Sequence, residues 1–375
     1  MSEIRVDTIS EKTSGSGTTV SNLKNPNQPF RNKIINGDMQ VSQRGTSFSL
    51  TTSAIFTTDR FQLNVGAESA GRLTATQTAD GPGVFGLTKC LKLDCTTADT
   101  SIAAGEVLQL QTKIEGQHLQ EFHKGTSGAK KMTVSFYVKG DQAAKYTLNL
   151  FDADNTRMNG QTFDVTTSWT RVTLVYNADT TGAFDNDANN SLQMIFVLHG
   201  GTTYSSGTFA ENTWASYANG LQIGDSTTSF FDSTDREFFI TGLQLEVGET
   251  ATDFEHLPFD VQLRRCKRYY YQLPDTPTSS YRVLASSWLI SSTLASADQM
   301  NPVSMRAAPT ITIVGTPLMT DNTTNASIAV GLGANYSTTQ KINYNISTSS
   351  SVSTQPGHIH NNSNAGNYFQ VSAEL

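Results

Sequence analysis

The alternation of apolar and polar residues between about Asn32 and Pro258 leaves this chain little choice of architecture. In KMTVSFYVKG, Met132, Val134, Phe136 and Val138 share one face, and Thr133, Ser135 and Lys139 share the other. The same period places Tyr146, Leu148 and Leu150 together, then Val172, Leu174 and Tyr176, then Leu192, Met194, Phe196 and Leu198. Leu91, Leu93 and Cys95 line up in KCLKLDC, as do Leu108, Leu110 and Ile114 in LQLQTKI. A strand with one apolar face needs an opposing layer, and polar turn clusters such as NADTTGAFDNDANN suit antiparallel connections. The expected fold is all-β: an antiparallel jelly-roll sandwich over residues 29–258. Within FFITGLQLEVG the phase shifts from Phe238 and Ile240 to Leu243 and Leu245, which predicts a β-bulge at Gly242.

After Pro258 the period becomes helical. Phe259, Leu263, Cys266 and Tyr270 form an apolar stripe, so residues 259–271 predict a short linking helix that runs into a strand. The basic, tyrosine-rich LRRCKRYYYQLP lies here and raises the question of a polyanion site. The net charge of −7 opposes that use, and the tyrosines continue the stripe. A domain junction is expected instead, made by Glu246, Glu255, Arg264, Arg265, Cys266, Arg268 and Tyr270, with the arginines meeting the carboxylates of EVGETATDFEH. No nucleic-acid partner is expected. Residues 272–375 hold short, polar, strand-like runs that bury little per chain, which predicts a C-terminal β domain stabilised in a homotrimer. Residues 1–28 are too polar to fold alone and are expected to order against a partner.

No apolar run approaches the length of a membrane span, so no membrane insertion is expected. The N-terminus lacks a signal-peptide pattern, and three cysteines do not make a disulfide framework, which suits a chain made in a cytoplasm. Sugar binding needs exposed aromatic rings beside amides. Tyr204, Trp214 and Tyr217 in a Gly/Ser/Asn-rich loop offer them, as do Tyr336, Tyr344 and Tyr368 near the C-terminus. Trp214 serves equally well as core, and Trp169 and Trp288 fall in strand-like runs as packing residues. His358 and His360 in GHIH point to one side of a strand, so three chains about an axis would supply six nitrogens for a transition metal; the alternative is a polar turn. DADNTRMNG resembles a calcium loop but lacks the Gly and acidic residue an EF-hand needs, leaving a structural Ca2+ elsewhere in the sandwich open. Glu246, Glu249, Asp253 and Glu255 could be imagined as a glycosidase pair, but the simpler role is turn capping and ion pairing. No enzymatic activity is expected.

The segment ITGLQLEVGETATDFEHLPFDVQLRRCKRYYYQL resembles one that recurs in bacteriophage tail fibre and receptor-binding proteins, particularly of marine and cyanobacterial phages. There a sandwich like a carbohydrate-binding module ends in a Gln-Leu-Glu-X-Gly strand, followed by Ala-Thr-X-Phe-Glu and Cys-X-Arg-Tyr-Tyr. NKIINGDMQVSQRGTSF with TTDRFQL is similar to the opening strands of such sandwiches, and NPVSMRAAPTITIVG with VSAEL to the domain that follows. Such relatives usually carry an aromatic where this chain has Val41 or Ser42. The resemblance implies a virion structural protein, a trimeric tail fibre that docks to other tail proteins through its N-terminal arm. It would adhere to host surface polysaccharide or lipopolysaccharide. A head decoration or tail-assembly scaffold, and less so a polysaccharide depolymerase, are the competing readings.

Overall fold

The computed structural model describes residues 29–50, 54–66, 69, 71–320, 325–349 and 357–375; the arm at 1–28 lies outside them. The alternating runs become two facing antiparallel sheets. One orders its strands Ser47–Ser49, Leu73–Thr78, Cys90–Cys95, Glu237–Val247, Met132–Gly140 and Thr170–Tyr176. The other runs Ala215–Ser216, Arg157–Val165, Ala144–Asp152, Asn190–Gly200, Val107–Glu115, Gln62–Val65 and Ala54–Phe56. From Cys90 to Asp152 each successive strand enters the opposite sheet, so the chain wraps one core between the two layers. Phe136, central in that core, meets Phe163 and Phe196 edge-on with ring centroids 5.2 Å apart in each case. The sandwich is therefore all-β and antiparallel, as the alternation predicts.

The bulge falls where the phase shift places it. Pairing with Met132–Gly140 slips between Thr241 and Gln244, and Gly242 has φ +64°, a conformation that disfavours side chains. The slip lets the segment after Asn32 lie across the strand: Leu243 donates its N–H to Gly37 O at 2.9 Å, and a Cβ on Gly37 would sit 2.0 Å from Leu243 O. Cys90, Cys95 and Cys266 are buried and free.

Beyond the linking helix, Phe259–Lys267, the strand Tyr270–Leu273 pairs with the C-terminal strand Tyr368–Ser372, which also pairs with Thr310–Val314. The remaining strands close a barrel in the order Val283–Ser291, Leu294–Met300, Lys341–Thr348, Asn325–Asn335, Leu318–Thr320 and Gly357–His360. These polar runs bury more than their composition suggests. Closure removes the sheet edges, and Ala285, Ala295 and Ala297 allow a narrow interior completed by Ile342, Tyr344, Ile346 and Ile359.

The junction corrects the expected pairing. Glu246 and Glu255 do not meet the helix arginines. Glu246 accepts hydrogen bonds from Thr252 and Gln244 and lies 3.5 Å from Arg31, while Glu255 accepts the Asn32 N–H at 2.9 Å. Both carboxylates thus fasten the first described residues to the last sandwich strand. Arg268 instead forks onto Glu115 of the sandwich, with Nε and Nη2 at 2.9 and 2.8 Å from its two oxygens, and the Tyr269 hydroxyl joins them. Arg264 is exposed, and neither it nor Arg265 makes an ion pair among the described residues. Gln262 and Cys266 are buried, but Phe259, on the same face at the first helical residue, is 60% exposed; Tyr270 is already strand. The helix ends before the predicted stripe does, and Gln262 is drawn inward because its amide donates to Asp38 Oδ1 at 2.7 Å.

Candidate functional site

Where helix, strand and sandwich meet, they leave a cleft of about 660 Å³. Residues 40–46 of the sandwich form one wall; Phe259, Leu263 and Lys267 of the helix, Gln272, Asp275–Pro277 and Tyr368 complete it. Its shape is fixed from behind. The Arg44 guanidinium carbon sits 3.4 Å from the Tyr270 ring centroid and 4.8 Å from that of Phe56, and Arg44 Nη2 lies 3.2 Å from Glu374. Gln43 donates its backbone N–H to Asp59 Oδ1 at 2.8 Å and its side-chain amide to Tyr270 O at 2.7 Å. Burial pushes the Asp59 carboxyl up from its ordinary value, against the opposing pull of Arg44 and the Gln43 hydrogen bonds.

Towards the opening the chemistry is amphipathic. Phe259 is largely bare, Tyr368 half-buried, and Lys89 lies on the rim without an ion pair among the described residues. Lys267 is held 3.1 Å from Asp275. Gln272 is 3% exposed and donates to the Tyr270 hydroxyl at 2.7 Å, while its carbonyl oxygen has no partner among the described residues. Aromatic faces beside polar side chains such as Gln40, Ser42 and Lys89 suit a sugar ring, which presents C–H faces and hydroxyl edges.

Of the sequence candidates, only Tyr368 lines this cleft. Tyr204, Trp214 and Tyr217 are half-buried and turned to internal partners. Tyr204 packs beside Ile223, Trp214 Nε1 donates to Asn177 O at 2.7 Å, and the Tyr217 hydroxyl donates to Asn219 at 2.6 Å with its ring edge-on to Phe151. Tyr344 is excluded as a sugar contact: it is wholly buried, edge-on to Phe369 at 5.6 Å, because its position in Lys341–Thr348 faces the barrel interior. Tyr336 is 62% exposed at a turn. Trp169 packs edge-on to Phe239, but Trp288 is not a packing residue; it is 44% exposed. The cleft residues escape sequence reasoning because they come from six separated segments and none repeats a motif.

His358 and His360 do share a side of their strand, with ring centroids 5.7 Å apart. Tyr281 takes the space between them: its ring stacks on His360 at 4.6 Å and its hydroxyl meets His358 Nε2 at 2.5 Å. No group of three His, Cys, Asp or Glu gathers as a metal site among the described residues. In the sandwich, Asp152 of DADNTRMNG and the nearby segment 179–182 enclose a built-in cation. The Lys124 ammonium lies 2.5 Å from Asp152 Oδ2, 3.0 Å from Asp179 Oδ2, and 2.9 and 2.8 Å from the carbonyls of Thr181 and Gly182.

His199 forms a buried relay, with Nδ1 2.8 Å from Ser229 Oγ and Nε2 3.1 Å from Glu106. Its ring packs edge-on to Phe231, so the array is a covered hydrogen-bond network. Burial lowers the His199 pKa below the usual 6.5, although Glu106 pulls the other way. A base depressed in the folded state contributes stability that is complete above 6.5 and is lost as pH falls through the folded value. His118 and His360 shift the same way, mainly through burial. Urea midpoints are therefore expected to decline from pH 7 towards pH 5, with a shallower decline in His199→Gln; an equal slope in the two proteins would contradict this.

No protein-family model matches the chain, and no curated protein matches it. Among solved structures it is similar to the enzymatically active domain of tailspike protein 4 of bacteriophage CBA120. That match has 10% identity and TM-score 0.30, over 59% of this chain and 22% of that one. It is also similar to a CBM4 structure, with 14% identity and TM-score 0.28 over 56% of this chain and 97% of that one. A family 11 carbohydrate-binding module from Clostridium thermocellum, in complex with a mixed-linked tetrasaccharide, matches at 10% identity and TM-score 0.26 over 56% and 99%. At such scores likeness says nothing of what this chain binds.

Proposed function

We propose that this chain is the adhesive component of a bacteriophage tail fibre and that the junction cleft holds a glycan of the host surface. The observation that carries the glycan reading is the cleft itself: bare Phe259 and half-buried Tyr368 beside the polar side chains of Gln40, Ser42 and Lys89. The tail-fibre assignment rests on the resemblance of residues 240–273 to tail fibre proteins. In this reading residues 1–28 dock to other tail proteins and the chain works as a homotrimer in the virion. Weak sugar contacts in three copies would then be strengthened by effective concentration. The cleft groups bind and orient; no catalytic pair is assigned to them.

Glycan-array binding by the full chain, with sedimentation at micromolar concentration, tests the proposal. Phe259→Ala is expected to weaken binding about tenfold, or ~1.4 kcal/mol, without moving the thermal midpoint, because the ring is exposed. Unchanged affinity in that variant would remove the cleft from the binding site.

A further inference from the structure

We infer that the outer face of the C-terminal barrel carries a second sugar-binding platform, centred on Trp288, which rests on the glycan-adhesion reading above. Residues paired directly across antiparallel strands project from the same face. Trp288 is paired with Ser296, and Ser296 with Asn345. Two residues along, a second row crosses four strands: His358, Ser286, Asp298 and Asn343. That these rows face outward follows from the alternation: Ala285, Ser287, Ala297, Tyr344 and Ile346 are buried inside, while Trp288 and Ile290 are 44% and 54% exposed.

The result is a flat indole with polar neighbours on one flank, about 7 Å away at the strand rise. That spacing places hydroxyl partners at the edge of a pyranose stacked on the ring. The second observation is Asp298. Its Oδ2 is 3.2 Å from Lys341 Nζ, and the two side chains are 33% and 40% exposed, so an accessible ion pair flanks the indole. A carboxylate and an ammonium beside an exposed tryptophan suit sugar hydroxyls, which donate to the one and accept from the other.

A second copy of the chain is the other occupant such a face could take. It fits less well, because a copy–copy interface of standard size covers about 800 Å² per partner with an apolar, charge-depleted centre. Here the Asp298–Lys341 pair and Asn343 separate Trp288 from the exposed Met300.

The test is calorimetric titration of the full chain with neutral hexasaccharides of glucan, xylan, galactan and mannan, in parallel with sedimentation. Wild type is expected to bind at both places. Trp288→Ala is expected to lose at least tenfold in affinity at one of them and Asp298→Asn about fivefold, with Trp288→Phe retaining most of the binding. Phe259→Ala, which reports on the cleft, should leave the barrel site intact. Wild-type binding that Trp288→Ala does not alter would overturn the platform while sparing the cleft. If Trp288→Ala changes only the oligomeric state, the face is a contact between copies and the platform is wrong. If wild type binds none of these sugars, the platform for neutral pyranoses fails. Loss of glycan-array binding as well would take the glycan-adhesion reading with it.

Discussion

Replacing Lys124 by Met is expected to cost the sandwich about 3–5 kcal/mol, read as a fall in the urea midpoint without a change in slope. The Lys124 and Asp152 side chains are 1% and 0% exposed, so truncating the cation leaves a carboxylate with no water to turn to. Asp179 retains Arg157, whose Nε lies 2.8 Å away, so most of the loss falls on Asp152. Burial alone would raise the Asp179 pKa, but hydrogen bonds from Arg157 and Lys124 hold it below the ordinary carboxylate range. The double variant Lys124→Met/Asp152→Leu should then be markedly less destabilised than the two single losses summed. Additive losses would show that the ammonium acts by packing, beside Trp214 and Phe184 at 5.2 and 5.3 Å, and not by charge.

Glu115→Ala is expected to have the second large effect, of about 3 kcal/mol, and to act on the joint between sandwich and C-terminal region. Glu115 is wholly buried and accepts from both Arg268 nitrogens and the Tyr269 hydroxyl; Tyr269 is itself stacked under Arg60 at 3.5 Å. Removing one carboxylate therefore strands a guanidinium and a phenol together. Protease should cut near residues 268–275 faster in Glu115→Ala than in wild type, whereas Arg265→Glu, which breaks no ion pair among the described residues, should cut at nearly the wild-type rate. Burial raises the Glu115 pKa, but its bonds to Arg268 and Tyr269 outweigh this and keep it below the usual 4.5. A depressed acid contributes stability that is complete above about 4.5 and is lost as pH falls through the folded value, so the same cleavage should accelerate in wild type under acid. Indifference of the cleavage rate to both the substitution and acid would remove Glu115 from the joint.

The cleft shows how partial the sequence reading had to be. Tyr368 was a candidate on composition alone, but Phe259 looked like one rung of a buried helical stripe. In the structure Gln262 and Cys266 on that face are buried, but Phe259, the first residue of the helix, stays 60% exposed and lines the cleft. Trp288 departs from its expected packing role for a different reason. Alternation in YRVLASSWLIS shows that two faces differ, yet in a run with so many Ser and Ala it does not say which face is inside. Barrel closure decides: Ala285 and Ser287 go in, and Trp288 goes out.

By itself the sequence determined the sandwich, its bulge at Gly242 and the change to a helix after Pro258. Each is written in the spacing of neighbours along the chain, and a side chain's face follows from that spacing alone. Tertiary structure decided the rest: that Arg268 meets Glu115 rather than Glu246 or Glu255, that Lys124 fills the oxygen cage near Asp152, and that six separated segments leave a cleft. Which of several nearby opposite charges becomes a partner depends on where distant strands pass and on which carboxylate loses its water. Local periodicity carries no record of either.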